Sequence, residues 1–519
     1  MRNQVIVFVL CLMSITAEIF AQSKYWIEFT DKDTTEYNYA EYLSAQAIEN
    51  RIRYNIPLYQ YTDVAPKKKY IQQLKEMRVQ PIVISRWLNS VSAVLTPEQK
   101  ELISKLPYVK GIHRILPGIQ ICNTQVDVNS RSFHETMQQM EISEFLQAGL
   151  TGKGVSIGVI DAGFYDAHRN DYLKHLFDEH RIIKQRDFLD TTRTDIITQK
   201  ATNSDSHGKT VLEHIAGYNT SLRIQKGMAP NATYYLARTE HGDREFRGEE
   251  DTWIAAMEWM DQLGVRLINT SLGYSIKMDD PNDNYKKEDM NGATTRISKA
   301  ADIAFYEKGI FLVVSAGNEG ANPDWGIISS PADARGALSV GATILDNCMK
   351  IDYSSIGPEY NDYLKPNVSC YSYNGTSFSA PAVTGFVACI MEKAPWLSNK
   401  EVKEIVEKSA HLYPYGNNYV GYGIPKAGRA LQLLKNIEYT SPKTEMREVN
   451  TGLFRGKKYL LKIEPTTEKE AVLFHKKNER IVISQISVSI SDNKILIKKP
   501  HGCTRTTIVY GDHVTELIW

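Results

Sequence analysis

The chain has 519 residues, 42% hydrophobic and 24% charged, an ordinary globular composition with room for two to four domains. Its 61 basic and 61 acidic residues cancel, which argues against nucleic acid or an anionic membrane surface as the partner. Six cysteines in so long a chain are too few for a disulfide framework.

The N-terminus reads "MRN" and then "QVIVFVLCLMSITAEIFAQS". One positive charge, an apolar core and small residues near Ala21 predict a secretory signal peptide cut after Ala21. The apolar stretch is short for a membrane span, which needs about 20 residues, and Glu18 interrupts it. No second long apolar run follows, so the mature protein is expected outside the cytoplasm: extracellular, periplasmic or at the cell surface. Loss of Cys11 with the signal leaves Cys122, Cys348, Cys370, Cys389 and Cys503. That number is odd, so at least one is free; Cys348 with Cys370 is one available pairing. No Cys/His cluster points to zinc.

Residues 22–118 open on "YWIEFTD" and later alternate as strands around a helix whose N-cap is Thr96 before Pro97. This predicts a small α+β domain, with "KKK" at 67–69 as a solvated face. Residues 119–145 read as a linker. Residues 146–437 alternate β and α: "GVSIGVID", "ATYYLART", "VRLINTSLG" and "GIFLVVSAGN" are strands apolar enough to be buried on both faces of a parallel sheet. "DTWIAAMEWMDQLG" is an amphipathic helix, and 275–292 a polar surface insertion. Residues 438–519 carry short β-rich runs with a turn at "SDN" 491–493, predicting a small all-β domain.

Asp161, Ser271 and Asn318 stand at or just beyond strand ends, where chemistry gathers in such sheets, while His207 and Ser377 stand where helices begin. Asp161 ends "VSIGVID"; alone it could cap a turn before Gly163. His207 opens the helical pattern of "SHGKTVLEHIAG", where a lone His is most simply a surface residue. Asn318 in "VVSAGNEG" could be a turn residue. Ser377 in "NGTSFSAP" stands where a turn enters an apolar helix, either as an N-cap or as a nucleophile at the positive helix end. A Ser hydroxyl attacks only with a base in reach, a carboxylate behind that base and donors for the oxyanion.

Taken together, "GVSIGVIDAG", "SHGKTVLEHIAG", "INTSLG", "VVSAGNEG" and "NGTSFSAP" resemble the motifs of subtilisin-like serine proteases, in the family's Asp–His–Ser order. Residues 22–118 resemble the family's inhibitory propeptides through "VSAVLTPEQKELISKLPYVKGI". The resemblance implies an α/β fold: a subtilisin-like catalytic domain with a mostly parallel sheet between helices, after a small α+β propeptide and before a small all-β domain. It implies Ser377 as nucleophile, His207 as general base and then acid, Asp161 as its orienting partner and Asn318 as oxyanion donor. Ser271, Leu272 and Gly273 would pair with the substrate backbone as an added strand. With Ser315, Ala316 and Gly317 they would line the pocket for the side chain before the scissile bond, with Glu319 near its mouth. Protein or peptide substrates, and the propeptide as intramolecular inhibitor, are the implied partners.

The chain departs from the family at Lys209-Thr210, where Thr-His is usual, at Ala162, where Ser or Thr is usual, and in "KPNV" 365–368 for "KPDV". These departures leave two other readings open: a binding protein on a catalytically impaired scaffold, and an acyl transferase with the same triad. Of five sequons, those at Asn269 and Asn374 abut the site and read as incidental. No cofactor is required; "DDPNDN" 279–284 leaves room for structural calcium, although the EF-hand spacing is missing.

Overall fold

In the computed structural model, residues 23–115, 120–121, 130–241, 249–276, 284–435, 444–448 and 458–519 are described. The signal peptide expected over 1–21, Cys122, most of "DDPNDN" and the expected boundary at 437–438 lie outside them.

Strand β1 (Ser23–Phe29) is the centre of the first sheet because its neighbours bury it from both sides. It pairs antiparallel with β3 (Ser90–Leu95) and β4 (Val109–Arg114), and β2 (Ile84–Ser85) adds to β3, giving the order β2-β3-β1-β4. Helices α1 (Ala45–Arg53), α2 (Lys68–Glu76) and α3 (Pro97–Ser104) accompany it. Thr96 and Gln99 form a capping box around Pro97, so α3 starts where the sequence places it. Ile27, Phe29, Leu74, Val91, Leu95 and Ile103 make this unit's own core.

Short β5 (Gln120–Ile121) leads to β6 (Ser156–Asp161) and β7 (Ile182–Asp187), the hairpin of β8 (Tyr218–Asn219) and β9 (Ile224–Gln225), and β10 (Thr233–Arg238). Then come β11 (Leu267–Thr270), β12 (Leu272–Gly273), β13 (Phe311–Ser315), β14 (Leu338–Thr343) and β15 (Val368–Tyr371). Seven of these form one parallel sheet, β15-β14-β13-β11-β6-β10-β7. Its strands are near-continuously apolar because both faces are covered. Ile157 and Val159 face the cluster made with α4 (His207–Ala216) and α7 (Thr376–Lys393). Ile160 faces the other, made with α5 (Glu249–Leu263) and α6 (Arg296–Tyr306). Trp26, Trp87 and Ile115 of the first unit enter this second cluster, so the two units share a core.

The last sheet holds β16 (Thr444–Glu448), β17 (Lys458–Lys462), β18 (Glu470–Lys476), β19 (Val482–Ser491), β20 (Lys494–Lys498), β21 (Arg505–Tyr510) and β22 (His513–Ile518). Their order is β16-β22-β21-β18-β19-β20-β17. Asp492 and Asn493, at φ 50° and 56°, make the two-residue turn between β19 and β20. Strand β18 is buried on both faces: Ala471 and Leu473 fill the sheet's own core, while Val472 and Phe474 join the core of the parallel sheet. Cys348, Cys370, Cys389 and Cys503 are buried and free, so the available Cys348–Cys370 link is not formed.

Candidate active site

Strand β6 delivers Asp161, fully buried at its carboxyl end. A buried carboxylate must be hydrogen-bonded. Here Ala162 N donates to Asp161 Oδ1 at 2.8 Å, and His207 Nδ1 lies 2.6 Å from the same oxygen. Asp161 Oδ2 is buried without a partner.

His207 is the first residue of α4. The helix can start this close to β6 only because Gly208 has no side chain: a Cβ there would lie 2.6 Å from Gly163 O and 2.8 Å from Asp161 Cβ. His207 is 2% exposed, and its Nε2 is buried with no hydrogen-bond partner. Lys209 is half-buried and Thr210 bonds back to Ser206 O at 3.4 Å, so neither departure enters the Asp161–His207 contact.

Helix α7 starts at Thr376 after Gly375, whose φ of 115° suits glycine. Ser377 is therefore in the first turn, fully buried, at the positive end of an 18-residue helix. Its Oγ donates to Ser271 O at 3.4 Å, and Ser271 Oγ donates to Ser377 O at 2.8 Å, which ties the nucleophile candidate to the end of β11. The next residue, Phe378, packs 5.8 Å from the His207 ring and stacks on His214 at 4.8 Å. Burial pulls the His214 imidazole down to about 3, so the stacking partner is neutral.

Asn318 follows β13. Its Oδ1 accepts from Thr376 N at 2.9 Å and Thr376 Oγ1 at 3.0 Å, while its Nδ2 is buried and unpartnered. Thr376 Oγ1 also accepts from Gly317 N at 3.0 Å. One threonine thus fixes both the amide's orientation and the strand before it. Sequence reasoning missed Thr376, although its place in "NGTSFSAP" is a usable signal.

The substrate-edge candidates also meet. Leu272 and Gly273 form β12, which pairs antiparallel with β5 in the register Leu272↔Ile121 and Gly273↔Gln120. Ser315, Ala316 and Gly317 run out of β13 beside them. A Cβ on Gly273 would lie 2.1 Å from Ser329 Oγ and one on Gly317 3.4 Å from it, so Ser329 stands between the two stretches. Glu319 is buried and accepts from Asn322 Nδ2 at 2.6 Å.

A model of the subtilase family matches residues 152–423, just over half the chain, and the chain belongs to that family of subtilisin-like serine peptidases. A model of the peptidase S8 propeptide domain of Bacteroidota matches residues 24–131. Subtilisin NAT of Bacillus subtilis subsp. natto is 27% identical over 305 residues, 57% of this chain and 70% of that protein. Subtilisin BL of Lederbergia lenta is 28% identical over 292 residues, 54% of this chain and 92% of that protein. Among solved structures, the epidermin leader peptide processing serine protease of Staphylococcus aureus shares the fold with a TM-score of 0.53. It is 16% identical, and the match covers 81% of this chain and all of that one.

Proposed function

We propose that the chain is a secreted serine endopeptidase made as a self-processing precursor. Its parts are a signal peptide (1–21), an inhibitory propeptide (22–118), a linker (119–145), a peptidase domain (146–437) and a C-terminal β domain (438–519). The observation that carries this reading is the 2.6 Å contact between His207 Nδ1 and Asp161 Oδ1, with Nε2 left unpartnered. Asp161 holds the imidazole in the tautomer whose Nε2 can take a proton.

The chemistry follows from those positions. Ser377 Oγ leaves its long contact with Ser271 O, gives its proton to His207 Nε2 and attacks the carbonyl carbon. Asp161 stabilises the imidazolium. The oxyanion is met by the Asn318 Nδ2 group, whose direction is already set by Thr376, and by the Ser377 N–H. His207 then protonates the leaving amine, and water resolves the acyl-enzyme by the same route. Substrate backbone adds to Leu272–Gly273 as β5 does, and Ser271 and Ser315–Gly317 bound the pocket for the residue before the scissile bond.

The β5–β12 pairing also supports intramolecular inhibition, since residues 120–121, just past the proposed propeptide and inside the 24–131 propeptide match, occupy the edge a substrate needs. Among the described residues no helix is long and apolar enough to cross a membrane. Calcium is not needed for any step. Purified Ser377→Ala precursor should stay uncut and hydrolyse no casein, a loss of about 10⁶-fold, the magnitude known for the relative subtilisin. A Ser377→Ala protein that is cut and digests casein at the parental rate refutes the reading.

A further inference from the structure

Arg238 ends β10 directly opposite Asp161 of β6 and is 1% exposed. A guanidinium so deep persists only with partners. Its Nε donates to Ala162 O at 3.0 Å and lies 3.3 Å from Asp205 Oδ1; its Nη1 lies 3.0 Å from Asp187 Oδ2. Arg193 closes the group, 3.3 Å from Asp187 Oδ2 and 3.4 Å from Asp205 Oδ2. Two arginines and two aspartates therefore balance behind the acid–base pair. Both carboxylates are further satisfied by local donors, Ala201 N and Thr202 Oγ1 on Asp205, and Leu189 N on Asp187.

What these residues hold matters more than their charge. Ala162 is the residue whose N–H bonds Asp161 Oδ1; its C=O is the one Arg238 grips. With Asp161 Oδ2 unpartnered, the Ala162 backbone is the fixed support of the carboxylate besides His207 itself. Asp205 lies two residues before His207 and receives Tyr165 N on its carbonyl at 2.8 Å. We infer that Arg238 is a positioning residue for the proposed acid–base pair. Its Nε, shared between Ala162 O and Asp205 Oδ1, clamps the residue after Asp161 to the segment that starts the His207 helix, while Nη1 holds Asp187. Lysine cannot replace it, because a single ammonium does not present a planar fork to a carbonyl and two carboxylates.

The inference rests on the Asp161–His207–Ser377 reading, and the experiment separates the two. In the full precursor, Arg238→Met and Arg238→Lys are made beside Ser377→Ala. A remote buried pair, Lys476–Glu516 at 2.8 Å in the C-terminal sheet, supplies the control Lys476→Met. The readouts are self-cutting rate, kcat and KM on a peptide, thermal midpoint, and the low-field proton resonance of His207 Nδ1–H. A misplacement near 1 Å at reacting groups costs on the order of 10²-fold. Both Arg238 variants should therefore lose about 10- to 100-fold in kcat with KM within about twofold, and the resonance should shift or vanish. Lys476→Met should lower the thermal midpoint and leave kcat and the resonance alone. Should Arg238→Met not accumulate as folded protein, Arg238→Lys keeps the buried charge and carries the test. A dead Ser377→Ala with either folded Arg238 variant at parental kcat and an unmoved resonance overturns this inference alone. An active Ser377→Ala overturns the reading beneath it.

Discussion

Lys308 lies just past α6 of the peptidase domain, fully buried against the N-terminal unit. Its Nζ donates to Asp63 Oδ1 at 2.5 Å, Thr62 Oγ1 at 2.8 Å and Gln60 Oε1 at 2.8 Å, so all three acceptors belong to that unit. Removing one partner of a buried pair costs about 3–5 kcal/mol when the survivor is left alone. Lys308→Met does not leave Asp63 alone, because Arg51 of the same unit still bonds both its oxygens at 2.6 and 2.9 Å. The loss is then that of a charge-assisted hydrogen bond with its neighbours, about 2–3 kcal/mol, or roughly 30- to 150-fold in the hold of the cut propeptide. The assay follows peptide hydrolysis from the moment of self-cutting. The lag before full activity should shorten by about that factor, while the final rate matches the parent, because Lys308 takes no part in the acid–base site. Arg51→Met, which strips a bidentate partner from Asp63 and a 3.0 Å partner from Asp261, should shorten it further. Equal lags for the parent and both variants would refute the reasoning that these buried ions hold the propeptide.

Asn318→Ala should cut kcat by roughly 10²–10³ with little change in KM, since its amide is already oriented by Thr376; the magnitude is that of the equivalent loss in subtilisin. Burial pushes the Glu250 carboxyl up to about 7, with Tyr285 Oη donating to it at 2.5 Å. The folded value exceeds the unfolded one, so its share of stability is present below the ordinary carboxylate range and is lost as pH rises through about 7. Thermal midpoints should fall less steeply for Glu250→Gln than for the parent as pH rises from about 4.5 to about 7.5, and the two should run parallel above that. Ala162→Ser offers a donor to the bare Asp161 Oδ2 and should raise stability by about 1 kcal/mol, measured by thermal unfolding, without lowering kcat.

Legibility in the sequence followed burial. Strands β6, β10, β11 and β13 were readable because both faces are covered, which leaves nearly unbroken apolar runs. Asp161, His207, Asn318 and Ser377 each admitted a turn, cap or surface reading alone; the resemblance of their motifs to subtilisin-like proteases singled them out, and the structure brings Asp161 to His207 and Asn318 to the residue before Ser377. The amphipathic pattern of α5 did not say what covers its polar face. Glu258 and Asp261 have the spacing of a solvated stripe, yet they are 7% and 4% exposed, because Ser85, Arg86 and Trp87 bond Glu258 and Arg51 bonds Asp261. A helix periodicity reports which face is polar; it does not report what covers that face. Arg238 was invisible for a related reason. Its partners at 162, 187 and 205 are scattered along the chain and meet only when β6, β7 and β10 align.

These buried ions also bear on how one chain can hold an inhibitor and still accept substrates. In the cleft the described pairing of β5 with β12 is two residues long, and it uses backbone groups that any extended peptide carries. Strand addition alone therefore cannot tell propeptide from substrate. The distinction lies on α5 and just past α6, where Lys24 meets Asp251 at 2.8 Å, Ser85 meets Glu258 at 2.6 Å, Arg51 meets Asp261 at 3.0 Å and Lys308 meets Asp63. Each contact is closed to water, so removing one partner leaves the other buried without that compensation, and each contact is exchanged for water when the unit leaves. Loss of the unit would open the carboxylates of α5 to water, where they are readily solvated, and would leave β12 free to pair. The same helix that packs its apolar side on the parallel sheet thus gives its acidic side to the N-terminal unit, and on the inhibitor reading this second surface is expected to set how tightly that unit is held.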